Sequence, residues 1–581
     1  MRKLILSVIA VAGLLCVSAC SDFVFQEETI QSPLTKSGDA DVPLESVLFH
    51  PYTSTYVVRQ SDPYRMDNFN LALRNLRAGV SNQTFSTAQK EYLSKLRLEP
   101  THYALKIYPR NETEQWAIER TEGISISYLP FDCVQLPQQK QQLYKDGKVS
   151  FTELTERSPY TVLYDDLMTE EGPVEPVTVQ MPILYVVWPC DMPLPEEYDY
   201  VIDYEVFIPN YEEDAVTSAN SNSILEKDVM ALIEREAINI ALGNVRARQS
   251  SDIPAPQRRP YAGHLKTSDP LLGLSPLPGL TVRFQLGSNI HDARTDMDGY
   301  FYTVALVRYE ASFSLVFTHS LWKITQKANS TVPIVYSYGT MADVWIDDAG
   351  LKSEISFSIG SGGPELEVLR AVYYYYYGDH EINTWTYKND GIRICASASK
   401  GDGVLGSFYY GASPTYIVIY ANNANAKSHR VGTTLHELGH FTQYGERGSR
   451  SEYTKSEKWI RESYASYVGW YLGCEYYCHE GYEDAYDGKQ DITGNARQRW
   501  PMVLKDYTPV FVDMIDDYNQ GEHNDDYNVD SIEDFPHSII RTMITDCNNL
   551  EDINDVLGEY LNVYYTRKDY DNFIRPYIEM F

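Results

Sequence analysis

The order of apolar and polar positions predicts both helices and strands in the amino-terminal part of the chain. Three segments repeat apolar side chains every three to four positions, as one face of a helix does: 62–79, 85–100 and 224–244. Ser86 precedes the second of these helices and Gln89 follows three positions later, a pairing typical of a capped helix start. Four segments alternate apolar and polar positions and are predicted strands: 101–111, 123–131, 181–189 and 198–209. Residues 61–248 are therefore predicted to form an α+β domain.

A change of composition follows, and after it the pattern becomes that of short strands. Residues 249–278 are rich in proline, serine and glycine and are predicted to be an extended linker. Residues 279–350 have short alternating runs around the turn Asp296-Met297-Asp298-Gly299 and are predicted to form a small β-sandwich. The T-D-x-x-G-x-F sequence at this turn resembles the β-module of the carboxypeptidase regulatory type. Two aspartates also suit calcium, but the spacing of a calcium loop is absent, so we expect only a tight turn.

Residues 351–581 open with a run of five tyrosines and then continue with strands and helices. The tyrosine run is interpreted as a strand, and Asp379-His380-Glu381 as the polar loop that follows it. Strands are predicted within 392–398 and 406–423. The segment 415–420 is predicted to be an edge strand on which an extended peptide binds. A polar loop then leads into a helix.

The sequence His436-Glu437-Leu438-Gly439-His440 lies in this helix and carries the chemistry of the carboxyl-terminal part. Two histidines four positions apart face the same side of a helix, so both imidazoles can bind one metal ion. Glu437 lies beside them, where a carboxylate can take a proton from a bound water. This is the HExxH pattern of zinc peptidases. We predict His436 and His440 as Zn²⁺ ligands and Glu437 as the general base.

A third protein ligand must come from elsewhere, and two families of zinc peptidase take it from different places. Metzincins continue the motif with a glycine and a third histidine, but Gln443 and Glu446 occupy those positions. Gluzincins, which include the thermolysin-like proteases, take a glutamate from a following helix. Residues 456–472 have a helical pattern with Glu462 on the apolar side. The resemblance to gluzincins implies Glu462 as the third ligand, with Glu457 in reserve, in a mainly helical zincin-type domain with an edge-stranded sheet.

The same resemblance implies two further groups around the metal. Many gluzincins have an acid four positions after the glutamate ligand, which orients a histidine; here that position is Ser466, so another group must do this. A downstream histidine or tyrosine stabilises the oxyanion, and His537 is predicted in this role, with Tyr527 and His523 as alternatives. The acidic segment 516–535 is rich enough in Asp and Asn to suggest calcium, but its spacing fits no defined loop, and we expect a solvated loop.

Residues 1–19 have the succession of basic, apolar and small residues that is typical of a secretion signal. A short basic start precedes an apolar run that is too short to span a membrane, and Val17-Ser18-Ala19-Cys20 follows. This resembles the lipobox of a bacterial lipoprotein, which implies cleavage before Cys20 and acylation of its thiol. Residues 20–60 are then a spacer. Ser21-Asp22 favours the outer membrane, with the protein exposed at the cell surface.

Charge and composition restrict the possible partners. The 581 residues carry a formal charge of −32, and such an acidic chain repels phosphate backbones, so we expect no nucleic-acid partner. The expected partners are a peptide or protein substrate and the membrane, which the chain reaches through its lipid. Hydrophobic residues make up 43 %, which at this length is typical of a globular protein of several domains.

The sequence as a whole therefore predicts an α+β multidomain zinc metallopeptidase at a bacterial surface. The layout of lipoprotein signal, α+β region, β-module and HExxH domain resembles zinc-binding lipoproteins of Bacteroidetes. The alternative is a non-enzymatic surface protein that binds a protein or a glycan and has a vestigial or structural zinc site. Glu437 favours the enzyme, because a purely structural site has no use for a base, whereas Ser466 in place of an acid favours the alternative.

Overall fold

The computed structural model describes most of the chain after residue 60. The described residues are 61–79, 85–131, 154–210, 221–241, 261–269, 271–303, 307–308, 311–340, 346–347, 350–351, 354–359, 363–382, 391–397, 406–411, 415–420, 427–479, 508–516 and 532–580. The predicted signal 1–19, Cys20 and the spacer 20–60 lie outside these residues, as do His523 and Tyr527.

Within the described residues the protein is a mixed α/β molecule with twelve helices and several small sheets, which confirms the predicted class at this coarse level. The helices are α1 Met66–Arg77, α2 Thr87–Lys95, α3 Glu112–Glu119, α4 Ser221–Ala241, α5 Glu365–Tyr377, α6 Lys427–Arg447, α7 Arg450–Tyr453, α8 Lys458–His479, α9 Val510–Asp513, α10 His537–Asp546, α11 Leu550–Tyr564 and α12 Arg567–Met580. None of these helices is both long and apolar enough to cross a bilayer.

The strands before residue 242 are β1 His102–Tyr108, β2 Ser125–Ser127, β3 Arg157–Tyr164, β4 Met168–Thr169, β5 Gly172–Pro173, β6 Val177–Pro182, β7 Leu184–Pro189 and β8 Asp199–Val206. The later strands are β9 Ala262–Asp269, β10 Gly273–Pro276, β11 Thr281–Leu286, β12 Asn289–Arg294, β13 Tyr300–Tyr302, β14 Ser312–Val316, β15 Trp322–Thr325, β16 Val335–Thr340, β17 Ile346–Asp347, β18 Gly350–Leu351, β19 Glu354–Ile359, β20 Ile392–Ser397, β21 Gly406–Tyr409 and β22 Tyr416–Tyr420.

The amino-terminal region has the helices and strands that its pattern predicts. β2, β7, β1 and β8 form one antiparallel sheet in that order, and each lies in a segment predicted to be a strand. Leu105 on β1 is paired with Val186 on β7 and both are buried, because a closely packed side-chain cluster covers this face of the sheet. The predicted cap is also confirmed: Ser86 Oγ accepts from the Gln89 N–H, and Gln89 Oε1 accepts from the Ser86 N–H.

Two four-stranded sheets form a β-sandwich in the middle of the chain. One has the order β12-β11-β14-β16, and the other contains β10, β9, β13 and β19. The buried rings of Phe284 on β11 and Phe301 on β13 lie 6.2 Å apart, so the two sheets pack face to face. The tight turn predicted between β12 and β13 is present: Asp296 Oδ1 accepts from the Asp298 N–H, and Gly299 has a φ of 79°.

The prediction of an extended linker over residues 249–278 is wrong for its second half. β9 and β10 lie there and pair antiparallel, from Gly273 opposite Asp269 to Pro276 opposite Lys266. Pro276 is the last residue of β10, which is an edge strand, so its missing N–H leaves no internal ladder bond unmade. A proline-rich composition therefore does not exclude strands at the edge of a sheet.

The sheet beside the HExxH helix has the order β15-β20-β22-β21. β15, β20 and β22 are parallel, and β21 runs antiparallel to β22. The prediction of 415–420 as the edge strand is therefore wrong: β22 is interior, and β21 is the edge. β15 comes from the segment assigned to the β-module, and β19 from the segment assigned to the catalytic domain. Residue 350, the predicted end of the β-module, therefore does not separate the strands of the sandwich from those of the sheet beside the HExxH helix.

The run of tyrosines lies in helix α5, so its interpretation as a strand is wrong. α5 packs along α6, and Tyr375 on α5 lies with its hydroxyl 2.5 Å from Thr442 Oγ1 on α6. Leu366, Leu369 and even Glu367 of α5 are buried, so this helix has no continuous polar face. A helix that is buried nearly all round shows no amphipathic period in its sequence, and tyrosine by itself favours strands.

Buried ion pairs join the three parts of the chain. Glu112 on α3 binds Arg393 on β20 at 2.7 Å, and neither side chain is more than 1 % exposed. Asp269 on β9 binds Arg370 on α5, also at 2.7 Å and fully buried. Since breaking a buried pair leaves an uncompensated charge, these contacts fix how the amino-terminal sheet, the sandwich and the HExxH region pack together.

Candidate metal centre

The HExxH motif lies in the middle of α6, on a stretch that faces the interior. Val431, Leu435 and Leu438 are fully buried, so most of the helix surface here contacts other elements. His436 and His440 are 8 % and 2 % exposed. The two imidazoles therefore lie on one side of the helix, in a site largely shielded from bulk water.

α8 packs against α6 so closely that the two backbones touch. A Cβ atom on Gly439 would lie 2.8 Å from the Cα of Ala465, so only glycine fits at this position. The contact places Glu462, the fully buried residue three positions before Ala465, beside His436 and His440. The glycine inside the motif thus has a packing role of its own.

The three side chains converge on one point. Oε2 of Glu462 lies 3.4 Å from Nε2 of His436 and 3.4 Å from Nε2 of His440. Ligands about 2.1 Å from a tetrahedral zinc ion are separated from one another by about 3.4 Å. Neither Glu462 oxygen accepts a hydrogen bond of ordinary geometry from the described residues, which is costly for a buried carboxylate without a cation. The residues present therefore fit a zinc ion.

Burial and neighbouring charges determine the protonation of these groups. Burial alone would raise the pKa of Glu462, but the imidazoles of His440 and His436 hold this pKa well below its ordinary value. Burial opposes protonation of His440, yet the adjacent Glu462 raises its pKa. Burial raises the pKa of Glu437 to about 8. A dication held by the triad would lower the pKa of Glu437 again, so this carboxyl would be ionised most readily with a metal bound.

The imidazole of His440 has a polar partner on the side away from the triad. Its Nδ1 lies 3.2 Å from the hydroxyl of Tyr453, which donates to Oε1 of Glu170 at 2.7 Å. Arg461 Nε donates to the other oxygen of Glu170 at 2.8 Å. Glu170, which belongs to the amino-terminal region, is thus connected to His440 by hydrogen bonds through the Tyr453 hydroxyl.

Glu437 lies against β21, the edge strand of the sheet. A Cβ on Gly406 would lie 2.6 Å from Glu437 Oε1, and the N–H of Phe408 donates to the Glu437 carboxylate. Just past the strand, Tyr410 and Met168 exchange two backbone hydrogen bonds of 2.9 and 3.0 Å. Among the described residues no strand pairs with the outer edge of β21 beside Glu437, and Met168 covers the edge at Tyr410.

His537, predicted to stabilise the oxyanion, begins helix α10. Its Nδ1 is hydrogen-bonded to the Tyr467 hydroxyl, its ring lies 4.7 Å from that of Tyr471, and its Nε2 lies 3.7 Å from Glu381. Tyr467 follows Glu462 by five positions on α8, which turns it about 140° around the helix axis. The described contacts of His537 therefore lie on a different side of α8 from the triad, and its role stays a prediction.

Glu457, held in reserve as the third ligand, and Glu446, at the position of the third metzincin histidine, have other partners. Glu446 binds Arg541 Nη2 at 2.9 Å. Glu457 accepts from the indole N–H of Trp459 at 2.5 Å. Neither belongs to the triad, so the geometry favours Glu462 as the third ligand.

Sequence reasoning missed Tyr453 and Glu170, the residues that reach His440. The two are 283 positions apart, and neither belongs to a motif. The only signal in the sequence is negative: Ser466 stands where many gluzincins have an acid, so the resemblance implied that another group orients the histidine.

Comparison with known proteins does not identify the chain further. It matches no protein-family model, and it has no significant match among curated proteins or solved structures. The interpretation of the site therefore depends on its residues and their geometry.

Proposed function

We propose that the protein is a zinc-dependent peptidase of the gluzincin type, with His436, His440 and Glu462 as the zinc ligands. The observation that carries this proposal is the convergence of three buried donor side chains from two helices, with Glu437 beside them. A structural zinc site is usually closed by four protein ligands, whereas a catalytic site keeps one position open. Under this proposal α6, α8 and the sheet that ends in β21 form a zincin-type catalytic domain.

The chemistry follows from the open position and from Glu437. Zinc bound there would act as a Lewis acid toward a water molecule and the substrate carbonyl. Glu437 takes a proton from the attacking water and delivers it to the amine of the leaving group, so one water is consumed for each peptide bond broken. The hydrogen bond from the Phe408 N–H holds the Glu437 carboxylate at the sheet edge, where the substrate backbone would lie.

The edge strand β21 offers backbone groups to an extended peptide. Residues two apart on a strand point the same way, so the outer groups of Gly406 and Phe408 are in line with those of Tyr410. A peptide can pair by β-augmentation with the outer groups of Gly406 and with the carbonyl of Phe408, whose N–H donates to Glu437. Met168 already occupies the place opposite Tyr410, so pairing ends about 7 Å beyond Phe408. We expect the substrate groove to be closed at that end.

Metal content and peptide cleavage test the proposal on the fragment 21–581. We expect one zinc per chain, and cleavage of a mixed peptide library that a chelator abolishes and added zinc restores. Glu437→Gln should keep the zinc and lower the cleavage rate by at least about 10²-fold, because only the base is removed. Glu462→Ala should lose the zinc, because two ligands remain.

Glu457→Ala is the matched control, since it removes a glutamate near the start of the same helix and should keep both zinc and activity. If Glu462→Ala retains stoichiometric zinc, the ligand assignment is wrong. Stoichiometric zinc without cleavage of any peptide would support the alternative, a non-enzymatic protein- or glycan-binding lipoprotein with a structural zinc site.

We also propose that the chain is an outer-membrane lipoprotein, acylated at Cys20 and exposed at the cell surface. The lipobox-like sequence Val17-Ser18-Ala19-Cys20 after a short basic start supports this. Cys20→Ala should abolish incorporation of a labelled fatty acid and release the protein from the membrane fraction. A variant that stays acylated would exclude Cys20 as the site.

A further inference from the structure

A hairpin from the amino-terminal region is docked beside the metal site. β4 and β5 have two residues each, and the turn between them contains Glu170. Met168 on β4 is hydrogen-bonded to Tyr410 at the end of the edge strand, and Arg450 Nη1 donates to the carbonyl of Asp166 at 3.0 Å. Backbone contacts therefore fix the hairpin against both the catalytic sheet and α7.

Glu170 points from this hairpin into the protein. Its side chain is only 6 % exposed, and its Oε2 accepts from two atoms of Arg461, Nε at 2.8 Å and Nη2 at 2.7 Å. Its Oε1 accepts from the hydroxyl of Tyr453 at 2.7 Å. Arg461 directly precedes Glu462, so the same carboxylate also restrains the turn of α8 that holds the third ligand.

The hydrogen bonds from Glu170 to His440 have only one consistent direction. The hydroxyl of Tyr453 has a single proton, and the carboxylate of Glu170 can only accept, so this proton lies between Tyr453 and Glu170. The hydroxyl must then accept from Nδ1 of His440, 3.2 Å away. The imidazole proton is thereby placed on Nδ1, and the lone pair on Nε2 faces the metal position.

We infer that Glu170 and Tyr453 are positioning residues of the metal site, which hold His440 in the tautomer and orientation needed to bind zinc. This rests on the proposed zinc site and deepens it. A ligand histidine that donates its second N–H to a carboxylate, directly or through another group, is a stronger and better oriented ligand. Ser466 does not do this, since its buried hydroxyl has no hydrogen-bond partner among the described residues.

Zinc affinity tests this inference without any measurement of catalysis. Tyr453→Phe removes only the hydroxyl, and Glu170→Gln removes only the charge. Each should raise the zinc dissociation constant by about 10- to 100-fold, measured by competition with a chromophoric chelator. Tyr410→Phe is the matched control: its ring lies 5.0 Å from that of Tyr453, but its hydroxyl contacts the Thr169 carbonyl. This control should change the zinc dissociation constant by less than about twofold.

Two further readouts separate positioning from a general loss of structure. In the cobalt(II)-loaded protein, the d–d absorption bands report the ligand field, so Tyr453→Phe and Glu170→Gln should shift them and Tyr410→Phe should not. The double variant should bind zinc about as weakly as Glu170→Gln alone, because Tyr453 acts on His440 together with Glu170, whereas Glu170 also reaches α8 through Arg461. Additive losses would show two separate structural effects and overturn the inference.

The outcomes also separate this inference from the proposed function. If both variants are folded by circular dichroism and bind zinc as tightly as the unsubstituted protein, the inference is wrong, even where peptides are cleaved. If the unsubstituted protein binds no zinc, the proposed function fails and the positioning role fails with it. Weaker zinc binding by both variants in a protein that cleaves no peptide would support the positioning role and refute only the peptidase.

Discussion

Replacing Gly439 by alanine tests whether the close contact between α6 and α8 sets the geometry of the metal site. Alanine is about 1 kcal/mol more favourable than glycine inside a helix, so local propensity predicts stabilisation. The structure predicts the opposite. The added Cβ would lie 2.8 Å from the Cα of Ala465, short of the ordinary contact distance of 3.4 Å. The contacting atom belongs to the backbone, so no side-chain rotation relieves it.

The two helices must move apart by about 0.6 Å, and this affects both stability and metal binding. Overpacking of this kind costs about 1–3 kcal/mol, which offsets or exceeds the gain in helix propensity. The same movement separates Glu462 from His436 and His440 by more than the roughly 0.2 Å that a metal site tolerates. We therefore expect a zinc dissociation constant raised by about 10-fold or more, the scale on which a misplaced ligand acts.

Gly558 on α11 provides the matched control, because a Cβ there would meet no atom of the described residues within 4 Å. Gly558→Ala should raise the free energy of unfolding by about 1 kcal/mol and leave zinc affinity unchanged. Urea unfolding of the metal-free proteins and zinc competition titrations compare the two variants. If Gly439→Ala is stabilised as much as Gly558→Ala and binds zinc equally well, the packing argument is refuted.

Three further predictions concern acid stability, a buried ion pair and the position of cleavage. Burial lowers the pKa of His319 from 6.5 to about 3, so between these values the unfolded chain binds the extra proton. The free energy of unfolding therefore has its full value above pH 6.5, and it falls by about 2 kcal/mol by pH 5 because of His319. His319→Asn should flatten this pH dependence of the free energy of unfolding in urea titrations, and an unchanged pH dependence would refute the assignment. Glu112→Gln should lower the free energy of unfolding by about 3–5 kcal/mol, because Arg393 stays buried without its carboxylate partner. Glu114→Gln on the same helix should have a much smaller effect, because its partner Arg110 is half exposed. Because the edge of β21 is covered at Tyr410, mass spectrometry of peptide digests should find cuts within a few residues of a chain end; frequent central cuts in end-blocked peptides would contradict this.

Two of the three proposed metal ligands could be predicted from the sequence because their spacing is a property of helices. His436 and His440 are one turn apart, so a local pattern is sufficient to propose these two. Glu462 lies on the apolar side of the next long helix, and the resemblance to gluzincins was needed to propose it. Tyr453 and Glu170 were not accessible, because their contact depends on how a distant hairpin docks. No residue spacing in one sequence encodes that docking.

The same limit applies to the fold. The strands of the amino-terminal sheet were predicted from the order of their apolar and polar residues, although β7 is buried on both faces. α5 was missed because burial on nearly all sides removes the helical period. β22 was taken for an edge strand because strand order depends on long-range pairing, here with β20 on one side and β21 on the other.

The order of β15 and β19 along the chain makes the stability of the sandwich and that of the metal-site sheet depend on each other. β15 precedes β19 in the chain but belongs to the sheet of the metal site, whereas β19 returns to pair with β9 of the sandwich. A proteolytic nick near residue 350, followed by separation of the pieces, would remove a strand from each sheet. We expect the sandwich and the metal-site sheet to melt in a single calorimetric transition. A cell that displayed this protein could not shed the part with the candidate metal site and keep the rest folded.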